Sequence, residues 1–329
     1  MTDPIFHEPG IYYDMPEEEY HADWALSASG MKKLAVSPLN YWCNHPMNPD
    51  FEPEESDARE EGKAWHKRIL EGKGGFYKLY APELDKADYP DALKSGDDLK
   101  ECCRDLGLKQ TGTIAEISTR ILNHNPAMCP RLWYFISKAY EAQHTGKIFL
   151  PKKIMKQIEA AAETIEANPQ LKEMFSGGKS EVSIFWKDPE TGIRMKRRVD
   201  YLKDDLICEL KTFANQRNRK PSDAVGISIA ENGYFFDAVL SFNALPEIKK
   251  FHLLFLQKGN VPHIVMKNFC QFTKSGVENN YFSMAQSDYR SLIGLYANCV
   301  KKYGYDKKWT DAPILEDLED YELPLWAFK

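Results

Sequence analysis

From residue 151 to 168 the apolar positions Ile154, Ile158, Ala161, Ala162 and Ile165 return with a helical period, and Asn168-Pro169 ends the run. The period then drops to two. Residues 181–186 (Glu-Val-Ser-Ile-Phe-Trp) read as a strand, Asp188 to Gly192 has turn chemistry, and 193–202 and 206–212 read as two more strands joined by Lys203-Asp204-Asp205. A polar, basic loop follows this meander. After it come a helix near 222–242, a fourth strand at 251–256 and a helix over 278–302.

The N-terminal half is more interrupted. Ser27 is a small polar cap ahead of Met31, Leu34 and Ala35, and Pro38 breaks the helix they begin. Residues 58–71 form one amphipathic helix with Trp65, Ile69 and Leu70 near one face and Gly72 as its stop. Beyond a loop containing Pro82, Pro90 and Gly96 lie two short helices, 98–106 and 114–122, punctuated by Gly107 and Gly112, and then a linker at 123–130. This succession of helices and strands predicts an α/β protein. It divides into an N-terminal part (1–90), a small helical insertion (91–130), a main core (131–310) and an acidic tail with apolar anchors (311–329). The tail is suited to folding back on its own domain or to docking on a neighbouring subunit or partner.

The candidate chemistry sits on the meander. On a strand, residues two apart share a face, so Glu209 and Lys211 project together, and a hairpin turning at 203–205 brings Asp200 beside them. Two carboxylates that close repel unless a cation lies between them. Hard divalent ions take such oxygen ligands, and Mg²⁺ commonly uses one or two carboxylates plus substrate phosphate. Lys211 could then orient or help deprotonate a water, or offset charge on a scissile phosphate, in metal-assisted phosphodiester hydrolysis. Cross-strand charges of this kind also occur as solvated ion pairs. Against that, Leu206, Ile207, Cys208 and Leu210 make both faces of the strand start buried.

Asp200 followed nine positions on by Glu209-x-Lys211 resembles the core of the PD-(D/E)XK nuclease superfamily. Gly62-Lys-Ala-Trp-His66, on an upstream helix, is similar to the Gly-x-x-x-His element of the branch that includes RecB nuclease domains and lambda exonuclease. The run from Glu181 to Ile193, continuing to Arg198-Val-Asp200 and Glu209-Leu-Lys-Thr212, resembles the RecE-type (exonuclease VIII-like) nuclease domain. So do Leu26-Ser-Ala-Ser-Gly-Met-Lys32 and Ser37-Pro-Leu-Asn-Tyr-Trp42. The resemblance covers most of 10–75 and 150–257. It implies a central mixed sheet flanked by helices, a Mg²⁺ site that Mn²⁺ can also fill, and His66, Asp200, Glu209 and the carbonyl of Leu210 as metal ligands. Asp200, Glu209 and Lys211 would be catalytic, and Glu181 an accessory ligand. Relatives often carry Gln-x-x-x-Tyr on the helix after the Lys strand. Here that region has no glutamine, and Tyr234 or Asp237 would have to substitute.

The resemblance further implies a 5′-to-3′ exonuclease on linear duplex DNA, of phage or prophage origin. It would leave 3′ single strands for recombination, assemble as a ring-like homo-oligomer and hand its product to a single-strand annealing protein. A structure-specific endonuclease of the same fold and a non-catalytic DNA-binding adaptor are the alternatives. Residues 99–122 resemble a SAP motif, a two-helix element that commonly binds DNA, with Lys100, Arg104, Lys109 and Arg120 placed to touch phosphate. Phosphate contacts are also expected from Arg194, Lys196, Arg197 and Arg198 on the strand entering Asp200, from Arg217, Arg219 and Lys220 after Lys211, and from Tyr234.

Composition adjusts this picture in two ways. Lys and Arg number 43 against 49 Asp and Glu, a net charge of −6, so no bulk positive field draws DNA and contacts must come from a local basic track. The 7 cysteines are odd in number and scattered, with no Cys-x-x-Cys. That argues against a disulfide framework or zinc ribbon and for a reduced, cytoplasmic setting. Only Cys270 and Cys299 lie near the C-terminus, so no iron–sulfur cluster is expected. Cys43 and His45 alone make a weak metal case. With no run of 18 apolar residues and no signal-like start, neither a membrane-spanning nor a secreted protein is expected.

Overall fold

The computed structural model describes residues 4–52, 56–259, 261–272 and 274–311. Most of the tail read above, 312–329, lies outside the described residues. The chain opens with a short strand β1 (Gly10–Tyr12) and helices α1 (Glu17–Ala22), α2 (Ala28–Val36) and α3 (Pro38–Cys43). Ser27 caps α2 by accepting the Gly30 amide. Ser37 caps α3 in the same way, so Pro38 both ends one helix and occupies the first turn of the next. Helix α4 (Asp57–Leu79) does not stop at Gly72. It kinks there, with Gly72 at φ 70°, and runs on to Leu79 because Phe76 returns to the core.

Strand β2 (Tyr80–Pro82) follows, then the hairpin of α5 (Gly96–Asp105) and α6 (Ile114–His124). Each of these helices starts with a complete capping box, Ser95 with Asp98 and Thr113 with Glu116. The segment read as a linker forms a 3₁₀ turn at Pro126–Arg131, ahead of α7 (Trp133–Gln143) and β3 (Ile148–Leu150). β2 and β3 pair in parallel, and a bridge between Leu93 and Leu132 closes the stem of the α5–α6 segment. Leu99, Cys103, Ile117, Ile121 and Leu132 form its own small core.

Helices α8 (Lys152–Ala167) and α9 (Pro169–Met174) lead to the meander β4 (Lys179–Lys187), β5 (Arg194–Lys203) and β6 (Leu206–Phe213). What read as one helix near 222–242 is two, α10 (Pro221–Asn232) and α11 (Phe235–Ala244), separated by Gly233 in the left-handed region at φ 58°. Strands β7 (Lys250–Gln257) and β8 (Ile264–Phe269) and helix α12 (Asn280–Tyr303) complete the described chain.

The main sheet has the order β1-β4-β5-β6-β7-β8 and is antiparallel except for the parallel β6–β7 pair. Helices cover both faces. Cys208, Leu210, Leu254 and Leu256 pack under α4 and α8 around Trp65, Phe76 and Ile158. Ile207, Leu253 and Phe255 pack against Val225 of α10 and Ala238 and Phe242 of α11. A third cluster joins α2, α11 and α12 around Met31, Leu240 and Tyr289. The result is a mixed α/β fold whose central strand β6 is buried on both faces. No helix among the described residues is long and apolar enough to cross a membrane.

Candidate active site

The ladder around Asp200 is broken on both sides. β5 and β6 pair from Lys203–Leu206 to Tyr201–Cys208 and no further. Between β4 and β5 the pairing steps from Ser180–Tyr201 to Val182–Val199, skipping Glu181 opposite Asp200. Buried backbone amides must still find acceptors. Here side chains supply them: the Leu210 amide donates to Asp200 Oδ2 at 2.7 Å, and the Asp200 amide donates to Glu209 Oε1 at 3.4 Å. Two carboxylates are thus drawn between the splayed strands, which sequence spacing alone does not show. Glu181 sits in the left-handed region at φ 54°, a conformation that costs a non-glycine residue about 1–2 kcal/mol.

His66 reaches this break from the middle of α4, because Trp65 and Arg68 anchor the adjoining face in the core. Its Nδ1 lies 3.5 Å from Asp200 Oδ1 and 4.0 Å from Glu181 Oε1. The ligand atoms of His66, Glu181 and Asp200 all fall within 4.8 Å of one another. Lys211 Nζ donates to Glu209 Oε2 at 2.9 Å and lies 3.8 Å from Asp200 Oδ2. His66, Glu181, Asp200 and Glu209 stand at the wall of a cleft of about 630 Å³ that Glu17, Ser27, Ser29, Lys63 and Lys67 also line, and Lys211 joins them through its bond to Glu209. Leu210 is buried and joins the site through its backbone.

Charge in this pocket is tightly matched. Arg197, buried, donates Nη2 to Glu209 Oε1 at 2.9 Å and Nη1 to Asp237 Oδ1 at 3.1 Å. Burial and the neighbouring Asp200 push the Glu209 carboxyl above the usual glutamate range. Burial and Asp200 also raise Glu181, against the pull of Arg198, whose Nε donates to it at 2.8 Å. Asp237 goes the other way: burial opposes its charge, but Arg197, Lys32 and Lys211 hold it below the ordinary aspartate value. Burial likewise opposes the Lys211 ammonium, and Glu209 and Asp200 more than compensate, raising it above ordinary lysine.

The cations expected to form a basic track along β5 are each engaged by protein groups, although Arg197 and Arg198 line the cleft. Lys196 is buried and donates to the carbonyls of Tyr20 and Asp23. Arg197 is the internal counter-charge just described. Arg198 is held by Glu181, the Met15 carbonyl and Ser183, and Arg194 by the His7 carbonyl and Glu8. The reason is strand geometry: β5 is an inner strand, so both of its faces meet protein. Arg120 is also engaged, donating to the carbonyls of Lys109 and Thr111. Lys100, Arg104 and Lys109 on the hairpin and Arg217, Arg219 and Lys220 after β6 are exposed, and none lines the cleft. Tyr234 starts α11, its ring 5.7 Å from Lys211 Nζ. His45 is packed on Tyr41, which argues against a metal pair with exposed Cys43. Lys32 ends the Leu26–Lys32 run that resembles RecE-type domains, but the run gives it no role. Only the fold brings α2 against α11.

The donor set suits a hard divalent cation: two carboxylates and an imidazole, with Glu209 and the Lys211 ammonium alongside. A family model described as a PDDEXK-like domain of unknown function (DUF3799) matches residues 27–241, a span that holds every member of this cluster. Among solved structures, the chain is similar to a provisionally assigned exonuclease from Eubacterium rectale, with 16% identity and a TM-score of 0.48 over 87% of this chain and 88% of that one. It is also similar to SSO0001, with 10% identity and a TM-score of 0.26 over 60% of this chain and 84% of that one. No curated protein matches the chain.

Proposed function

The chain belongs to this PDDEXK-like family and has the PD-(D/E)XK nuclease fold, and from that premise we propose that it is a Mg²⁺-dependent exodeoxyribonuclease acting on linear duplex DNA. The observation that carries the reading is the meeting, where three strands part, of His66, Glu181, Asp200 and Glu209 at the wall of an open cleft, with Lys211 bonded to Glu209. His66, Asp200 and Glu181 would hold the ion, with Glu209 and the backbone of Leu210 beside them. Bound there, Mg²⁺ would activate a water and offset charge on the scissile phosphate. Asp200 has a second task, since its other oxygen fixes the Leu210 amide and so sets the register of β6 against β5. Lys211, held by Glu209 and kept charged, donates to the phosphate or the attacking water rather than accepting a proton. Arg197 holds Glu209 and Asp237 in place, keeping Asp237 ionised and opposing the upward push on Glu209.

Digestion from the 5′ end, delivery of the 3′ strand to an annealing protein, a ring-like homo-oligomer and a phage origin belong to the same reading and rest on the resemblance to RecE-type domains. The hairpin α5–α6 would grip duplex through Lys100, Arg104 and Lys109. The test is digestion of linear and covalently closed circular duplex with Mg²⁺ or Mn²⁺. Linear duplex is degraded and the circle survives. Asp200→Asn, Glu209→Gln and Lys211→Met each lower the rate by at least about 10²-fold. Calorimetry with Mn²⁺ shows Glu181→Gln and His66→Gln binding at least about tenfold more weakly. Cleavage of the circle points to an endonuclease. Duplex binding without Mn²⁺ binding points to an adaptor, and undiminished activity in all three active-site variants removes the assignment.

A further inference from the structure

Beside Lys211 the structure holds a second lysine. Lys32 projects from α2 so that its Nζ lies 5.3 Å from the centre of the Tyr234 ring, while Lys211 Nζ lies 5.7 Å from that same centre. One aromatic ring thus lies within reach of two ammoniums, an arrangement favoured by its quadrupole. The main-chain turn that permits it is Gly233 at φ 58°, where an added Cβ would meet Lys32 Cε at 3.8 Å.

The anion facing Lys32 is only partly its own. Asp237 Oδ2 is 3.8 Å away, beyond hydrogen-bond range, while Asp237 Oδ1 takes a shorter bond from Arg197. A third of the Lys32 side chain stays exposed, so the group is not locked in the core. Burial lowers its pKa, and Lys211 and Arg197 lower it further, against the pull of Asp237. Three cations therefore converge beside the acidic cluster, and the least tightly bonded of them keeps a third of its side chain exposed.

We propose that Lys32 is a second phosphate-contacting cation of the active site, set beside Lys211 by Tyr234 and Asp237, that positions the DNA strand next to the bond being cut. This rests on the nuclease reading and adds a strand-positioning residue to it. Lys32 makes one ionic contact with the backbone and reads no base.

The experiment uses the full chain and a short blunt duplex, comparing wild type, Lys32→Met and Lys32→Arg. Binding is followed by fluorescence anisotropy in Ca²⁺ across a salt series, and cleavage in Mg²⁺. In Lys32→Met the slope of log Kd against log salt falls by about one and KM rises about tenfold, with kcat within about twofold of wild type. Lys32→Arg restores the slope. A purely structural lysine would leave the slope unchanged. A wild-type slope and KM in Lys32→Met overturn the proposal alone. So does loss of the fold in that variant, which would make Lys32 a structural residue. A wild-type protein that neither binds nor cuts duplex overturns the nuclease reading beneath it.

Discussion

Lys196 and Arg197 are neighbours on β5, point to opposite faces and are both buried, yet they carry charge by different devices. Arg197 is bonded to two carboxylates, so its charge is paid for in place and its pKa stays high despite burial. Lys196 has two carbonyl acceptors and the Tyr20 ring 4.7 Å away, and burial lowers its pKa from 10.5 to about 8. The sign follows directly. A lowered folded-state pKa means that the folded protein sheds this proton first, so the Lys196 contribution to stability grows as pH rises from about 8 toward 10.5 and is lost as pH falls through about 8. Between pH 7.5 and 9.5 the gain is about 2 kcal/mol. Urea denaturation of wild type and Lys196→Met at both pH values checks it: the variant lacks that increment. In the sequence these two residues read as one basic stretch, because a string of Lys and Arg does not say which of its members faces protein.

At the scale of elements, the decisive feature is the gap in the ladder at Asp200. Period-two patterning identified β4, β5 and β6, including the hairpin at 203–205, because alternation and turn chemistry are local. It could not show that pairing lapses at Glu181–Asp200 and beyond Tyr201–Cys208, because that lapse depends on which atoms take up the freed amides. Glu181 is the strained member, held at φ 54°. Glycine within a strand is ordinarily less stable than alanine. Here the order inverts: Glu181→Gly exceeds Glu181→Ala by about 1 kcal/mol in chemical denaturation, because only glycine relaxes the left-handed backbone. The usual order would show that the strain is absent. The helices show the same division. α8 and the start of α2 follow from period and capping. The continuation of α4 past Gly72 and the break at Gly233 depend on what Phe76 and Phe236 pack against.

Across the whole molecule, the insertion leaves and re-enters the core through a narrow stem. The Leu93 amide donates to the Arg131 carbonyl and the Trp133 amide to the Leu93 carbonyl. Its helices have a separate core, whereas β2 and β3 pair outside it. Replacing residues 95–130 by a short glycine-serine link should leave a folded, cooperatively melting protein that still cuts linear duplex. The affinity for that duplex should fall about tenfold if three exposed cations are lost from the interface. Melting by circular dichroism and salt-dependent binding measure the two parts. An unfolded product would make the hairpin part of the core, and unchanged affinity would remove it from the DNA path.

The sequence by itself determined the α/β class and the strand meander and singled out Asp200, Glu209 and Lys211, with His66 and Glu181 named by resemblance. The first two depend on local periodicity, which no distant residue alters. Only the tertiary structure decided that the ligand atoms of Glu181, His66 and Asp200 lie within 4.8 Å of one another, that Arg197 serves as an internal counter-charge and that Lys32 and Lys211 share the Tyr234 ring. The physical reason is burial. Whether a charged group bonds to protein or to a ligand depends on the dielectric and partners around it, and residues far apart in the chain supply both.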